Sequence, residues 1–157
     1  MPLAAQAAQW LSRLVQIPSV TPIQAGPRAG APGEARIAET VAAWFQQLGG
    51  EVVVEEVLPN RPNVYGWWRG QTDAWVAVDV HVDTVGVEQM TGDPFDGVLR
   101  DGRVWGRGAV DTKATLGVIL ALLEAAQISR TTPVPHVLIG ATVDEEFGAT
   151  GAPAFPA

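Results

Sequence analysis

The sequence predicts an α/β fold, a mixed, mostly parallel sheet with flanking helices. Three observations carry this. Helical and extended patterns alternate along the 157 residues. Two short, continuous apolar runs, at 74–78 and 137–142, read as strands buried on both faces. Both runs lead into acidic clusters at their C-terminal ends, where open α/β sheets place their ligands. The composition agrees, with 47% apolar and 17% charged residues, as in a globular chain of about one domain.

The elements follow in order. Leu3, Ala7, Trp10, Leu11 and Leu14 recur at helical spacing and mark a first amphipathic helix within residues 1–16. That stretch lacks a basic start and carries Gln6, Gln9, Ser12 and Arg13, so it is not read as a secretory leader. Pro18 and Pro22 stop the helix, and 17–33, rich in Pro, Gly and Ala, reads as a loop. A second helix starts near Glu34, with Ile37, Val41, Trp44, Phe45 and Leu48 on one face and Gly49-Gly50 closing it. Residues 51–57 are β-branched and alternating, and 63–69, with Tyr65, Trp67 and Trp68, make the neighbouring strand. The run 74–78 continues into Asp79-Val-His-Val-Asp-Thr84. Asp101-Gly102 between two short extended pieces is a hairpin signal. Leu116, Ile119, Leu120 and Leu123 mark a third helix, and 137–142 is the last strand, ending in Val143-Asp-Glu-Glu146.

Composition excludes several functions. Lys and Arg number 10 against 17 Asp and Glu, a net charge of −7, which disfavours nucleic acid because phosphate affinity comes from clustered bases. Cysteine is absent, and with it disulfides, zinc fingers, iron–sulfur ligation and thiol catalysis. No apolar stretch is long enough to span a membrane, and the cytoplasm is the expected compartment. Gly106-Arg-Gly108 opens like a dinucleotide fingerprint, but Asp111 occupies the third glycine position and would repel a pyrophosphate. Lys113 follows no glycine, so there is no phosphate loop. Any metal must be held by carboxylates and by the two histidines, His81 and His136.

Three clusters carry chemistry: His81-Val-Asp83, Asp111 after a glycine-rich turn, and Glu145-Glu146. Residues two apart on a strand point to the same side, so His81 and Asp83 share a target. A carboxylate beside an imidazole fixes its tautomer and raises its basicity as a ligand. Adjacent glutamates point different ways, so one can hold a metal while the other takes a proton from water. Each cluster also has a plain reading. A lone His-x-Asp is usually a hydrogen-bonded strand terminus, Asp111 or Thr112 suits a helix N-cap, and Glu-Glu is usually a solvated turn. His136 reads as a strand-edge residue without a ligand role, and Trp67 and Trp68 as part of a half-buried strand. What separates the set from its parts is the crowding of carboxylates at one rim, which is costly unless cations compensate.

With these residues in place, the chain resembles the dinuclear zinc aminoacylases and carboxypeptidases, the family that includes acetylornithine deacetylase and succinyl-diaminopimelate desuccinylase. The resemblance runs through Ile17-Pro-Ser-Val-Thr21, Arg61-Pro-Asn-Val64, His81-Val-Asp-Thr-Val85, Asp93-Pro-Phe95, Asp101-Gly102, Gly106-Arg-Gly-Ala-Val-Asp111 and Thr142-Val-Asp-Glu-Glu-Phe-Gly148, in the family's order. It implies a zinc-peptidase-like catalytic domain. His81 would ligate one metal, Asp111 would bridge two, and Glu146 would ligate the second. Asp83 would orient His81, and Glu145 would act as general base. Two divalent ions are implied, zinc first, with cobalt or manganese suited to the same donors. The reaction implied is cleavage of the amide of a small N-acyl amino acid or related amine by a metal-bridging hydroxide, with neither nucleic acid nor membrane as partner. A cis peptide is expected at Asp111–Thr112. Thr112, Ala114-Thr115 and Val80 depart from the usual residues, often Met, Gly-Gly and Gly.

The family pattern continues with a further acidic ligand, a lid and dimerisation domain, and a late histidine ligand. By that measure 1–157 is the N-terminal part of the catalytic domain, and the parent enzyme is expected to dimerise through the domain that is not here. The alternative reading is a fragment that binds metal weakly and hydrolyses nothing.

Overall fold

The computed structural model describes residues 1–130, 132 and 135–155. Three helices, α1 (Leu3–Val15), α2 (Ala35–Gln47) and α3 (Lys113–Ser129), accompany six strands. These are β1 (Glu51–Leu58), β2 (Arg61–Trp68), β3 (Trp75–His81), β4 (Leu99–Arg100), β5 (Arg103–Val104) and β6 (His136–Thr142). The main sheet runs β1-β2-β6-β3, and β4-β5 form a separate ribbon.

The sheet is mixed, as expected, but its balance corrects the expectation of mostly parallel pairing. β1 pairs antiparallel with β2, and β2 antiparallel with β6; only β3 and β6 run parallel. Chain connection explains the difference. A two-residue turn at Pro59-Asn60, with Asn60 at φ 58°, joins β1 to β2, and so short a link permits only an antiparallel pair. β3 and β6 are joined by a crossover that includes α3, the connection a parallel pair requires.

One sheet face carries Val64, Trp68, Val80, Ile139 and Ala141, which pack in a single core with Trp10, Leu14, Ile37, Val41, Phe45, Leu116 and Leu120 from the helices. Trp10 meets Trp44 edge-on at 5.0 Å between ring centroids, and the Arg13 guanidinium lies over both rings. Trp68 enters the same core and donates its indole N–H to Leu48 O at 2.9 Å. The other face is covered in part by Phe155, edge-on to Tyr65.

Two-face burial holds for the inner half of β6 but not for β3. Trp75 and Val76 are exposed, and the strand is covered only towards Val80. β3 is an edge strand of the described sheet, so its apolar run faces no further strand. The expected loop at 17–33 is held against the chain leaving β3: Thr21 N donates to Thr84 O and Thr84 N to Ser19 O, at 2.9 and 3.0 Å. Val20, Ala29 and Val87 form a small second core there. The Asp101-Gly102 hairpin is present, with both residues at positive φ (54° and 71°), the geometry of a tight two-residue β-turn. Among the described residues no helix is long and apolar enough to cross a membrane.

Candidate metal centre

The parallel pairing of β3 and β6 sets His81 opposite Thr142, so both acidic clusters leave the sheet at one rim. β3 ends on His81, and the chain runs on extended through Val82, whose N–H donates to Thr142 O, so Asp83 lies beside His81. β6 ends two residues before Asp144, and Glu145 and Glu146 follow. Asp111 lies in the turn that precedes α3, and the Asp111–Thr112 peptide is cis.

These residues meet. His81 Nε2 lies 3.1 Å from Asp111 Oδ1 and 3.6 Å from Glu145 Oε2. Donor atoms of His81, Glu145 and Glu146 all lie within 4.8 Å of one another. Glu145, expected as the base, thus stands in this group with the two expected ligands His81 and Glu146, while Asp111 joins through His81. The centre is graded in burial: Asp83 is fully buried and His81 nearly so, whereas the side chains of Glu145 and Asp111 are 53% and 75% exposed. An open cleft of about 840 Å³ adjoins it, lined by Asp111 and Glu146 at the metal end and by Trp105, Arg107 and Val110 beyond.

Asp83, expected to orient His81, touches more than that ring. Its Oδ1 lies 3.4 Å from His81 Nδ1, a long contact, while Oδ1 and Oδ2 accept the backbone N–H groups of Glu145 and Glu146 at 3.1 and 3.0 Å. The same Nδ1 lies 3.1 Å from Asp83 O. One carboxylate thus ties the histidine to the glutamate turn. Burial disfavours its charge, but the His81 contact and the two amide donors hold its pKa below the usual carboxylate value.

The crowding of carboxylates shifts the titrating groups at this rim. Burial and the neighbouring Asp111 carboxylate push the Glu146 pKa up. At His81 burial opposes the imidazolium, but Asp83 and Glu145, with Asp111, outweigh it and raise the pKa to about 9. One imidazole and several carboxylate oxygens around a common point fit a divalent cation such as zinc, cobalt or manganese.

The sequence reading gave no role to three buried charged residues directly behind the turn, Glu34, Arg61 and Asp144. The only signal was Arg61, a charge opening the apolar strand run in Arg61-Pro-Asn-Val64. Gln24 was also missed; it donates to Glu146 O at 3.3 Å and accepts from Gly86 N at 3.1 Å. His136 lies at the opposite end of β6, accepting Gly70 N–H at 2.8 Å and stacking on Trp75.

Comparison with known proteins bears on this arrangement. The profile of peptidase family M20/M25/M40 matches residues 77–157, the segment that holds His81, Asp83, Asp111, Glu145 and Glu146. Acetylornithine deacetylase of Vibrio campbellii is 32% identical over 122 residues, covering 76% of this chain and 32% of the relative. Among solved structures, human carnosine dipeptidase 1 superimposes with a TM-score of 0.78 at 21% identity, over 94% of this chain and 34% of that one. The dipeptidase Dug1p of Saccharomyces cerevisiae gives 0.74 at 18% identity, over 94% and 33%. The M20 family metallo-carboxypeptidase Sso-CP2 of Sulfolobus solfataricus gives 0.70 at 20%, over 90% and 31%. These likenesses establish the fold, and the chain spans about a third of the length of each relative.

Proposed function

This chain belongs to peptidase family M20/M25/M40, and from that premise we propose that it forms the metal-binding half-site of a hydrolase acting on the amide of an N-acyl amino acid or related amine. The observation that carries the reading is the convergence of His81, Glu145 and Glu146 on one point, with Asp111 on the same imidazole. The likeness to a relative named acetylornithine deacetylase supports the substrate class.

His81, Asp111 and Glu146 would hold the metal, two divalent ions by the family resemblance. Zinc suits the donors. When bound, such ions supply Lewis acidity, polarising an amide carbonyl and making water acidic near neutral pH. Asp83 holds both His81 and the glutamate turn in place. Glu145, half exposed next to Glu146, takes a proton from the attacking water and returns it to the leaving amine. Its neighbour Glu146 is the more buried of the pair, which suits a ligand, so two adjacent glutamates take different roles by environment.

Titration with cobalt or zinc tests the assignment. His81→Ala and Glu146→Gln should each weaken binding by about tenfold or more, while Glu145→Gln should leave it within a few-fold. In a protein carrying the further ligands that the family resemblance implies, Glu145→Gln should lower turnover of an N-acetyl amino acid about 10²- to 10⁴-fold. Metal binding indifferent to His81→Ala would overturn the ligand set. Robust hydrolysis by these 157 residues alone would show that the remaining ligands are misassigned.

A further inference from the structure

Three buried charges meet where the proposed hydrolysis makes no use of them. Glu34 precedes α2, Arg61 opens β2, and Asp144 follows β6, with side chains 0%, 14% and 4% exposed. The Arg61 guanidinium forks onto Glu34, with Nε 2.7 Å from Oε2 and Nη2 2.6 Å from Oε1. The same Nη2 lies 2.9 Å from Asp144 Oδ1. Thr150 Oγ1 donates to the other Asp144 oxygen at 2.6 Å.

The backbone beside this group is unusual in where its amides go. Val143 N donates to Asn63 Oδ1 at 3.0 Å, and Asp144 N to Glu34 Oε1 at 3.3 Å. Glu145 N and Glu146 N then donate to the two oxygens of Asp83. Four consecutive amides are thus held by side chains from other parts of the chain. Between them Asp144 sits at φ 67°, a left-handed conformation that few residues other than glycine adopt without support. An apolar cluster would fill the same space at lower desolvation cost. It would not supply a directed acceptor for Asp144 N or a planar fork that fixes where that acceptor lies.

We propose that Arg61, acting through Glu34 and Asp144, is a positioning residue that sets the 144–146 turn so that the side chains of Glu145 and Glu146 enter the metal centre. This rests on the reading of Glu146 as a metal ligand and Glu145 as the base. Arg61→Lys keeps the charge but loses the fork, and Glu34→Gln keeps the shape but loses the charge.

Two measurements on the 157-residue chain test it. In the metal-free protein, amide hydrogen exchange at Glu145 and Glu146 should quicken by about tenfold or more in Arg61→Lys, while amides in the middle of α3 and β6 keep their wild-type rates. Zinc affinity should fall about 10- to 100-fold in the same variant, as when a partner that orients a ligand is removed. A variant that melts at lower temperature yet keeps wild-type exchange in the turn and wild-type zinc affinity would overturn the proposal, since Arg61 would then serve stability alone. If Arg61→Lys does not fold, Glu34→Gln carries the same expectations. Should wild-type zinc binding prove indifferent to His81→Ala, the metal reading fails, and the exchange contrast still decides whether Arg61 positions the turn.

Discussion

Lys113 and His81 show how differently two bases of one chain are treated by their surroundings. His81 sits among carboxylates, which raise its pKa; Lys113 is buried against two carbonyls, donating to Ile17 O at 2.8 Å and Leu14 O at 3.1 Å, and burial lowers its pKa to about 7. Its unfolded value is near 10.5. Between those values the unfolded chain binds more protons than the folded one, so stability attributable to Lys113 rises with pH across that window. Compared with Lys113→Met, the wild type should therefore gain stability from pH 7 to pH 10 in denaturant titrations. A difference that is flat across that range would mean that Lys113 keeps its charge when buried. At this scale the candidate ligands were legible because residue types and spacing carried them: a histidine and an aspartate two apart, an aspartate after a glycine turn, a glutamate pair after an apolar run. The partners of Asp83 were not legible. Its bonds to the amides of Glu145 and Glu146 join residues more than 60 apart and exist only because β3 and β6 pair in register. Glu34 and Arg61 stayed unread for the same reason, since a buried ion pair between a helix start and a strand start leaves no local pattern.

α1 and α2 followed the apolar spacing closely, because each has one face to bury and a proline or glycine near its end, whereas α3 was marked by its leucines alone and closes on Arg130 in a left-handed conformation. α1 and α3 also pack directly on each other. Trp10 Nε1 donates to Glu124 at 2.9 Å, and at Gly117 a Cβ would lie 3.1 Å from Leu11 N and 3.2 Å from Ala7 O. That approach needs a residue without a side chain. Gly117→Val should cost about 1–3 kcal/mol in thermal or chemical unfolding, as overpacking does, and an unchanged midpoint would show that the helices can part without penalty. Strand burial was harder to read. The run at 74–78 has the composition of a strand covered on both sides, yet composition does not say whether a further strand or helix lies beyond it, and here β3 ends the described sheet. The loop at 17–33 likewise gives no local sign that Val20 will pair beside Thr84.

For the molecule as a whole, the open edge has consequences. Trp75 on β3 and Val118 and Leu122 on α3 are exposed, and an apolar groove of about 310 Å³ lies between Val78, Leu122, Ala126 and Val137. Exposed edges with apolar neighbours favour self-association, which the net charge of −7 opposes only at low salt. Light scattering should show association growing with protein and salt concentration and reduced in a Trp75→Lys, Leu122→Glu double variant; a monomer at all concentrations would contradict this. The α/β class and the mixed sheet were legible in the alternation of patterns; the short turn sets the antiparallel β1–β2 pair, whereas the antiparallel β2–β6 pair joins residues about 70 or more apart and leaves no local sign. The two strand ends and the turn before α3 are proposed to build one metal centre. This is tested most directly by an anomalous-difference map of zinc-soaked crystals. A peak is expected within bonding distance of His81 Nε2 and of the Asp111 and Glu146 carboxylates. A peak elsewhere, with this rim empty at saturating zinc, would contradict it.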